Sequence, residues 1–251
     1  MITDLEHRVF EQVGVVKAIY RYPVKSMGGE RLGSAALRSS GIDGDRQYAF
    51  RRQNDASRFP WFTGRDLPPL VTYSARLLDT DNPRQAAARV SGPDGEWTID
   101  DVELRYRLSD ASGEPLQLLR VERGAFDNLP VSVLSTATLG MIEARHGRRL
   151  DERRFRANIV IESTVGGDAG RETNWVGGIL TLGDRPHAAS LRAHMPIDRC
   201  MMITIDPDSG ARDPTILRCV VDDFANEIGV CCSTEVAGPV AVGHVVKLMR
   251  S

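Results

Sequence analysis

Short apolar segments separated by turn signals constrain the fold of this chain more than any other feature. They are rich in valine, isoleucine, leucine and aromatic residues, and they lie at 13–20, 47–51, 71–78, 97–99, 102–108, 116–121, 155–162, 179–182, 201–205 and 240–249. Such segments predict β-strands when glycine, proline, asparagine and aspartate bound them. The sequence therefore predicts a mainly β protein, a barrel or a sandwich, rather than a doubly wound sheet.

One segment carries the signals of a helix. Ser135 is a suitable N-cap, and Leu139 and Ile142 form an apolar stripe after it. The stretch Arg145-His146-Gly147 supplies cations and a glycine where the helix would end. Because no other segment shows comparable signals, we expect few helices.

Charge and hydropathy exclude several classes of function. The formal net charge of -2 gives no positive field that would attract nucleic acid. The first eleven residues are polar and acidic and lack the apolar core of a signal peptide, and no apolar stretch approaches the length of a membrane span. We therefore expect a cytoplasmic protein that binds neither nucleic acid nor a membrane.

The four cysteines indicate neither a disulfide framework nor a structural zinc site. The sequence has no CxxC pair, and a bridge between the adjacent Cys231 and Cys232 would be strained. We interpret these two residues and Cys219 as small buried hydrophobic residues.

Cys200 differs from the other cysteines because of its surroundings. It stands at the start of the apolar run 201–205, which the turn Asp206-Pro207-Asp208-Ser209-Gly210 closes. A thiol at the end of a predicted strand would be displayed as a nucleophile or as a soft metal ligand. The alternative is a buried thiol, and the neighbouring Arg199 does not decide between them, since adjacent strand residues point to opposite faces.

Two loops combine cations with groups that suit an anionic ligand. Lys25 and Ser26 follow the first predicted strand and precede a glycine pair, which lets backbone approach a ligand closely. Arg46 ends a tight turn with Asp43 and Asp45, which could aim its guanidinium at an anion. A solvated lysine and an Asp–Arg pair that stiffens the turn are the alternatives.

A third candidate pair lies in the predicted strand 155–162. Arg156 and Asn158 are two residues apart, so a strand would place them on the same face. They could form a donor and acceptor set for a polar heterocycle or a phosphate, or they could simply face water.

Taken together and in this order, these segments resemble the MOSC family, the molybdenum cofactor sulfurase C-terminal domain family, with its N-terminal β-barrel partner. The matching stretches are Tyr22-Pro23-Val24-Lys25-Ser26, 41–46, 63–70, Leu134-Ser135, 155–160, Trp175 with 180–183, and Arg199-Cys200 with Thr204, Asp206-Pro207 and Gly210. The resemblance implies a closed β-barrel MOSC domain at 124–251 and a β-barrel-like N-terminal domain at 13–123, divided near 124–130.

Within that family the chain is similar to reductases of N-hydroxylated compounds. The resemblance implies a molybdenum–molybdopterin cofactor, with Cys200 as catalytic residue and metal ligand. It assigns the anionic pterin and its phosphate to Lys25, Ser26, Arg46, Arg156, Asn158 and Arg199. Since no iron–sulfur or flavin module follows, we expect a separate electron donor, a ferredoxin- or flavin-type reductase, and a small-molecule substrate.

The chain also departs from the family pattern. Some relatives carry a second cysteine three residues before the ligand, where this sequence has Ile197, so we expect Cys200 to be the sole thiol at the metal. The loop 127–130 has few hydroxyl groups, so fewer cofactor contacts are expected there. Two alternatives remain open: sulfur transfer through a persulfide on Cys200, and a carrier of the cofactor without catalysis.

Overall fold

The computed structural model describes residues 10–250, and a closed barrel of seven strands forms its centre. In chain order the strands are β1 (Phe10–Arg21), β2 (Glu30–Leu32), β3 (Ser34–Arg38), β4 (Gly41–Ile42), β5 (Tyr48–Arg52), β6 (Ser74–Leu77), β7 (Ala88–Gly92), β8 (Gly95–Thr98), β9 (Leu116–Arg120), β10 (Val131–Ser135), β11 (Ile159–Ser163), β12 (Ile179–Leu182), β13 (Ser190–Asp198), β14 (Glu227–Val236), β15 (Gly238–Ala241) and β16 (Val245–Met249). The predicted absence of a signal peptide concerns residues 1–11, most of which lie outside the described residues.

The barrel closes because β1 pairs with strands on both of its sides. The order is β11-β10-β14-β13-β12-β16-β1, and β1 returns to β11 through pairs such as Val16 with Ile161. Only the β10–β11 pair of this ring is parallel. Closure leaves no free strand edge in the ring. The predicted mainly β fold with a closed barrel is therefore confirmed.

Three α-helices and five short 3₁₀ helices complete the described chain. The α-helices are α1 (Val102–Ser112), α2 (Thr136–His146) and α3 (Pro214–Phe224). The 3₁₀ helices are Pro68–Thr72, Glu152–Phe155, Gly167–Gly170, Glu172–Trp175 and Met201–Thr204. No helix within residues 10–250 combines the length and the apolar character that crossing a membrane requires.

The prediction of α2 is confirmed at both of its ends. The Ser135 side chain accepts a hydrogen bond from the Ala137 backbone N–H, at 3.1 Å, and Gly147 ends the helix in the left-handed conformation. Leu139 and Ile142 are buried, as the apolar stripe predicts. These signals are local in sequence, which is why they could be interpreted without the fold.

Three apolar cores support this architecture. The barrel interior is filled by residues such as Ile19, Val133, Ile161, Leu191 and Val246. A second core lies among β5 to β9 and α1, and includes Phe50, Phe62, Leu104 and Leu108. A third fills the space between the barrel and the pair α2–α3, with Ile142, Phe155, Val220 and Phe224. The candidate site borders the third core, since Phe155 and Ile203 also line its cavity.

Two predicted strands are wrong and one is misplaced. The segment 102–108 belongs to α1, where Leu104 and Leu108 are buried four residues apart and Asp101 caps the first turn. The segment 201–205 forms the 3₁₀ helix Met201–Thr204 instead of a strand. The segment 155–162 begins as a turn, and its strand starts only at Ile159.

The sequence interpretation also missed elements of the barrel. It did not identify β10, β13, β14 or α3, and the single strand predicted at 240–249 is two strands separated by a turn at Gly243. The predicted domain boundary between residues 123 and 124 stays a prediction. Strands from both sides of it pair with each other, since β1 pairs with β11 and β3 pairs with β15.

Candidate functional site

One cavity of about 600 Å³ is lined by all seven residues that the sequence singles out. They are Lys25, Ser26, Arg46, Arg156, Asn158, Arg199 and Cys200. The other lining residues include aromatic and cationic side chains, among them Phe59, Arg65, Phe126 and Arg154. Residues from both halves of the chain thus share one site, although their functional roles stay a prediction.

Cys200 is an exposed, unbridged thiol at the cavity wall. Its backbone is extended and caps the 3₁₀ helix Met201–Thr204, and its carbonyl accepts a hydrogen bond from the Ile203 N–H at 3.2 Å. The Thr204 hydroxyl donates to the Met201 carbonyl at 2.7 Å and tightens this turn. A one-turn helix, rather than the predicted strand, therefore presents the thiol.

The other three cysteines differ in burial from Cys200. Cys231 and Cys232 are buried in β14, as predicted, whereas Cys219 in α3 is only half-buried. Burial raises the pKa of each of these three thiols, so they are thiols rather than thiolates near neutral pH. Cys231 also lines the cavity, which the sequence gave no reason to expect.

The lysine of the first loop is buried and held in place. Its Nζ donates hydrogen bonds to the Ala125 carbonyl at 2.8 Å and to Asp127 Oδ1 at 2.7 Å. Burial lowers the pKa of Lys25, and the Asp127 carboxylate opposes that change. Lys25 is therefore a fixed cation of the cavity wall, not a solvated lysine.

Arg46 is oriented by partners on three sides. Its guanidinium contacts the buried Asp45 carboxylate, and its Nη2 donates to the Arg156 carbonyl at 3.1 Å. It also lies 5.0 Å from the centre of the Tyr22 ring. Asp45 in turn accepts the Tyr22 backbone N–H at 2.7 Å. Asp45 therefore both stiffens this turn and orients the arginine, whereas the binding of an anion by Arg46 stays a prediction.

Arg156 and Asn158 do not share a strand face. Arg156 caps the 3₁₀ helix Glu152–Phe155 in a left-handed conformation, and its guanidinium stacks 4.4 Å from the Tyr22 ring centre. Burial lowers the pKa of Arg156 to about 10, so it remains charged at neutral pH. Its Nη2 is buried and has no hydrogen-bond partner.

Asn158 is fully buried, and its side chain links β10, β1 and Arg46 by hydrogen bonds. Its Oδ1 accepts hydrogen bonds from the Ser132 backbone N–H at 3.1 Å and from the Ser132 hydroxyl at 3.0 Å, and its Nδ2 donates to the Tyr20 carbonyl at 3.3 Å. Arg46 Nη1 reaches the same Oδ1 at 3.4 Å. The contacts of Asn158 thus position Arg46 and β10.

Arg199 carries a second guanidinium group with an unpaired Nη2 atom. Its Nε donates to the Ile228 carbonyl at 2.6 Å and its Nη1 to the Phe155 carbonyl at 2.9 Å, whereas Nη2 is buried without a partner. Burial lowers the pKa of Arg199 to about 10. A buried cationic donor left unpaired is costly unless a ligand supplies an acceptor.

Gly229 makes room for this arginine. Two residues of β14, Ile228 and Gly229, oppose one residue of β13 in a bulge, and Gly229 has φ +81°. A Cβ atom at this position would lie 2.6 Å from Arg199 Nη2 and 3.1 Å from the Val133 carbonyl oxygen. Only glycine fits here without displacing the guanidinium.

Glu172 is the residue that the sequence interpretation missed. Its buried carboxylate accepts hydrogen bonds from the Gly229 N–H at 2.6 Å and the Ser135 N–H at 3.0 Å, and from the Thr138 hydroxyl. Burial raises the pKa of Glu172, and these donors oppose that change. The polar loop around it gave no signal of burial, because its three partners lie far away in sequence.

Glu172→Gln is expected to destabilise the protein. An amide oxygen cannot replace both carboxylate oxygens, so at least one buried N–H loses its acceptor, at a cost of about 1–3 kcal/mol. Urea denaturation measures the change in free energy of unfolding. Glu162→Gln, at an exposed position of β11, is the matched control and should unfold like the native chain. Equal stability of the two variants would contradict the role assigned to Glu172.

Three cavity residues other than glycine adopt a left-handed backbone conformation. Ser26, Arg46 and Arg156 have φ values of 66°, 49° and 52°. Such conformations cost free energy for residues with a Cβ atom and cluster at functional sites. The strain lies in the loops that carry the predicted ligand-binding side chains.

Comparison with known proteins places these observations in a family. The MOSC N-terminal beta barrel domain matches residues 13–139 and the MOSC domain matches residues 121–247. Mitochondrial amidoxime-reducing component 1 of Homo sapiens is 27% identical in a match that covers 81% of this chain and 69% of that protein.

A solved structure supports the fold. The YUAD protein from Bacillus subtilis superposes with a TM-score of 0.51 at 12% sequence identity, covering 97% of this chain and 100% of that one. The resemblance inferred from the sequence is thereby confirmed: the chain belongs to the MOSC family and contains both its N-terminal beta barrel domain and its MOSC domain.

Proposed function

We propose that this protein is a molybdenum-cofactor oxidoreductase that reduces N-hydroxylated small molecules with electrons from a separate protein. One observation carries the proposal. A single cavity combines the exposed Cys200 thiol with the guanidinium groups of Arg156 and Arg199, whose buried Nη2 atoms lack partners. The similarity to an amidoxime-reducing component supports the reaction class.

The residues present fit a phosphorylated, thiolate-bound metal cofactor. Cys200 offers the soft sulfur ligand, and the unpaired N–H groups of Arg156 and Arg199 offer charge-assisted hydrogen bonds to an anion. Lys25 and Ser26 would complete the anion site. When bound, the cofactor would supply the two-electron redox chemistry that reduction of an N–O bond requires.

The remaining side chains keep these ligands in place before anything binds. Asp45 and Asn158 fix the Arg46 guanidinium, and Asp127 pairs with Lys25 and opposes the lowering of its pKa by burial. Phe59 and Phe126 give the cavity apolar surface beside its cations. This preorganisation lowers the conformational entropy lost when an anionic ligand is ordered. The cytoplasmic location and the ferredoxin- or flavin-type donor stay predictions.

Elemental analysis combined with a turnover assay tests the proposal. We expect freshly purified protein to contain molybdenum and pterin in stoichiometric amounts and to convert benzamidoxime to benzamidine with reduced methyl viologen. Metal-free protein with full activity would contradict it. Bound cofactor without turnover would favour the carrier, and an added sulfur on Cys200 in molybdenum-free protein would favour sulfur transfer.

A further inference from the structure

Arg65 is a positioned cation that the proposed cofactor site leaves unused. Its guanidinium lies 4.5 Å from the centre of the Phe59 ring, and both residues line the cavity. Arg65 is exposed, whereas Arg156 and Arg199 are half-buried and their Nη2 atoms are fully buried. Within residues 10–250 no carboxylate forms an ion pair with it.

The carboxylate of Asp66, the residue after Arg65, is bound by other partners. Asp66 Oδ2 accepts the Thr63 N–H at 2.8 Å and the Thr63 hydroxyl at 2.9 Å, and Asp66 Oδ1 pairs with Arg52. These contacts close the loop into a tight turn. Arg65 is left as the residue of this turn whose charge is unmatched.

The same turn is packed against the segment that carries Cys200. A Cβ atom at Gly64 would lie 2.9 Å from Met202 Cε and 3.0 Å from Met202 Sδ, so the methionine covers the glycine closely. Met202 belongs to the one-turn helix that Cys200 caps. The turn that carries Arg65 therefore lies against the one-turn helix that Cys200 caps.

An arginine stacked on an aromatic ring keeps its edge free for hydrogen bonds. The ring restricts the guanidinium to one plane, and its edge can then bind a carboxylate through two parallel N–H donors. Phe59 is 37% exposed, and Lys25 Nζ lies 5.5 Å from its ring centre, so the ring offers a planar ligand apolar surface beside two cations. An exposed cation suits a substrate, which binds and leaves in every turnover, whereas buried donor groups suit a cofactor that stays bound.

We propose that Arg65, held over Phe59, is a specificity-determining residue that selects N-hydroxylated aromatic substrates bearing a carboxylate. This inference rests on the proposed function for the reaction that the substrate undergoes. The binding of a carboxylate by Arg65 does not depend on that reaction. The carboxylate binds the guanidinium edge of Arg65, and the N-hydroxylated end of the substrate faces the Cys200 side of the cavity.

The test compares 4-carboxybenzamidoxime with the neutral benzamidoxime. Binding to the purified protein is measured by calorimetry, and KM is measured with reduced methyl viologen. We expect Arg65→Gln to weaken binding of the carboxylate compound and to raise its KM by about tenfold, the loss of one charge-assisted contact. Binding of the neutral compound and the molybdenum content should stay unchanged, and Arg65→Lys should restore part of the affinity.

Arg58→Gln is the matched control, since it removes the same charge from an exposed position outside the cavity lining. An equal effect of Arg65→Gln on both compounds, no effect on either, or a loss of molybdenum would overturn the inference. Arg65-dependent binding of the carboxylate compound without turnover of either compound would refute the proposed function and leave the anion site standing.

Discussion

Cys200→Ser is expected to remove molybdenum from the protein and to abolish reductase activity while the fold remains stable. A hydroxyl is a poor ligand for a metal that binds a soft thiolate. Loss of a direct ligand should exceed the roughly 10–100-fold loss that follows removal of an outer partner. Because the side chain is exposed, the midpoint of thermal unfolding should match that of the native chain from which the cofactor has been removed. The comparison uses the cofactor-free native chain because loss of a bound ligand by itself lowers the midpoint.

Cys219→Ser provides the control for this experiment. Cys219 lies on α3 and does not line the cavity, so its replacement should leave molybdenum content and turnover unchanged. Metal content is measured by elemental analysis and turnover with benzamidoxime. Full molybdenum content in Cys200→Ser would contradict its assignment as the metal ligand.

Gly229→Ala is expected to damage stability and cofactor binding together. The left-handed backbone costs alanine about 1–2 kcal/mol, and forcing Cβ against a fixed neighbour adds about 1–3 kcal/mol. The neighbour is Arg199 Nη2, at 2.6 Å, and two backbone carbonyls prevent this guanidinium from moving freely. We therefore expect lower stability in urea and a reduced pterin content.

Gly243→Ala is the control that separates the cost of a left-handed backbone from the cost of the clash with Arg199. Gly243 has φ +87°, close to the +81° of Gly229, but a Cβ atom there meets nothing within 4 Å. It should lose only the conformational part, about 1–2 kcal/mol, and should retain the cofactor. If both variants lose equal stability and both keep the pterin, the displacement of Arg199 is not the cause.

Local signals in the sequence predicted part of the fold. Ser135 and Gly147 bound α2 through contacts within a few residues, so no knowledge of the barrel was needed. The run 201–205 has the composition of a strand, yet Thr204 returns its hydroxyl to Met201 and the segment packs on α3 as a helical turn. Its conformation depends on a helix that the sequence interpretation did not identify.

The candidate site was predictable as a set of residues but not as a geometry. The order of the motifs brought Lys25, Arg46 and Cys200 together through family resemblance, and the cavity contains all of them. No local pattern shows that Arg156 turns left-handed before β11 or that Glu172 lies buried behind Gly229. These features depend on partners distant in the chain.

At the left-handed residues of the cavity, thermal stability and ligand binding favour different amino acids. Glycine at Ser26, Arg46 or Arg156 would relieve backbone strain on the order of 1 kcal/mol or more at each position. The same change would delete a hydroxyl or a guanidinium that faces the cavity. Laboratory evolution that rewards thermal survival alone would thus be drawn toward glycine at Ser26, and a variant improved in that way would lose ligand affinity. Arg46→Gly would not be selected in the same way, because it would leave the buried Asp45 carboxylate without its cation.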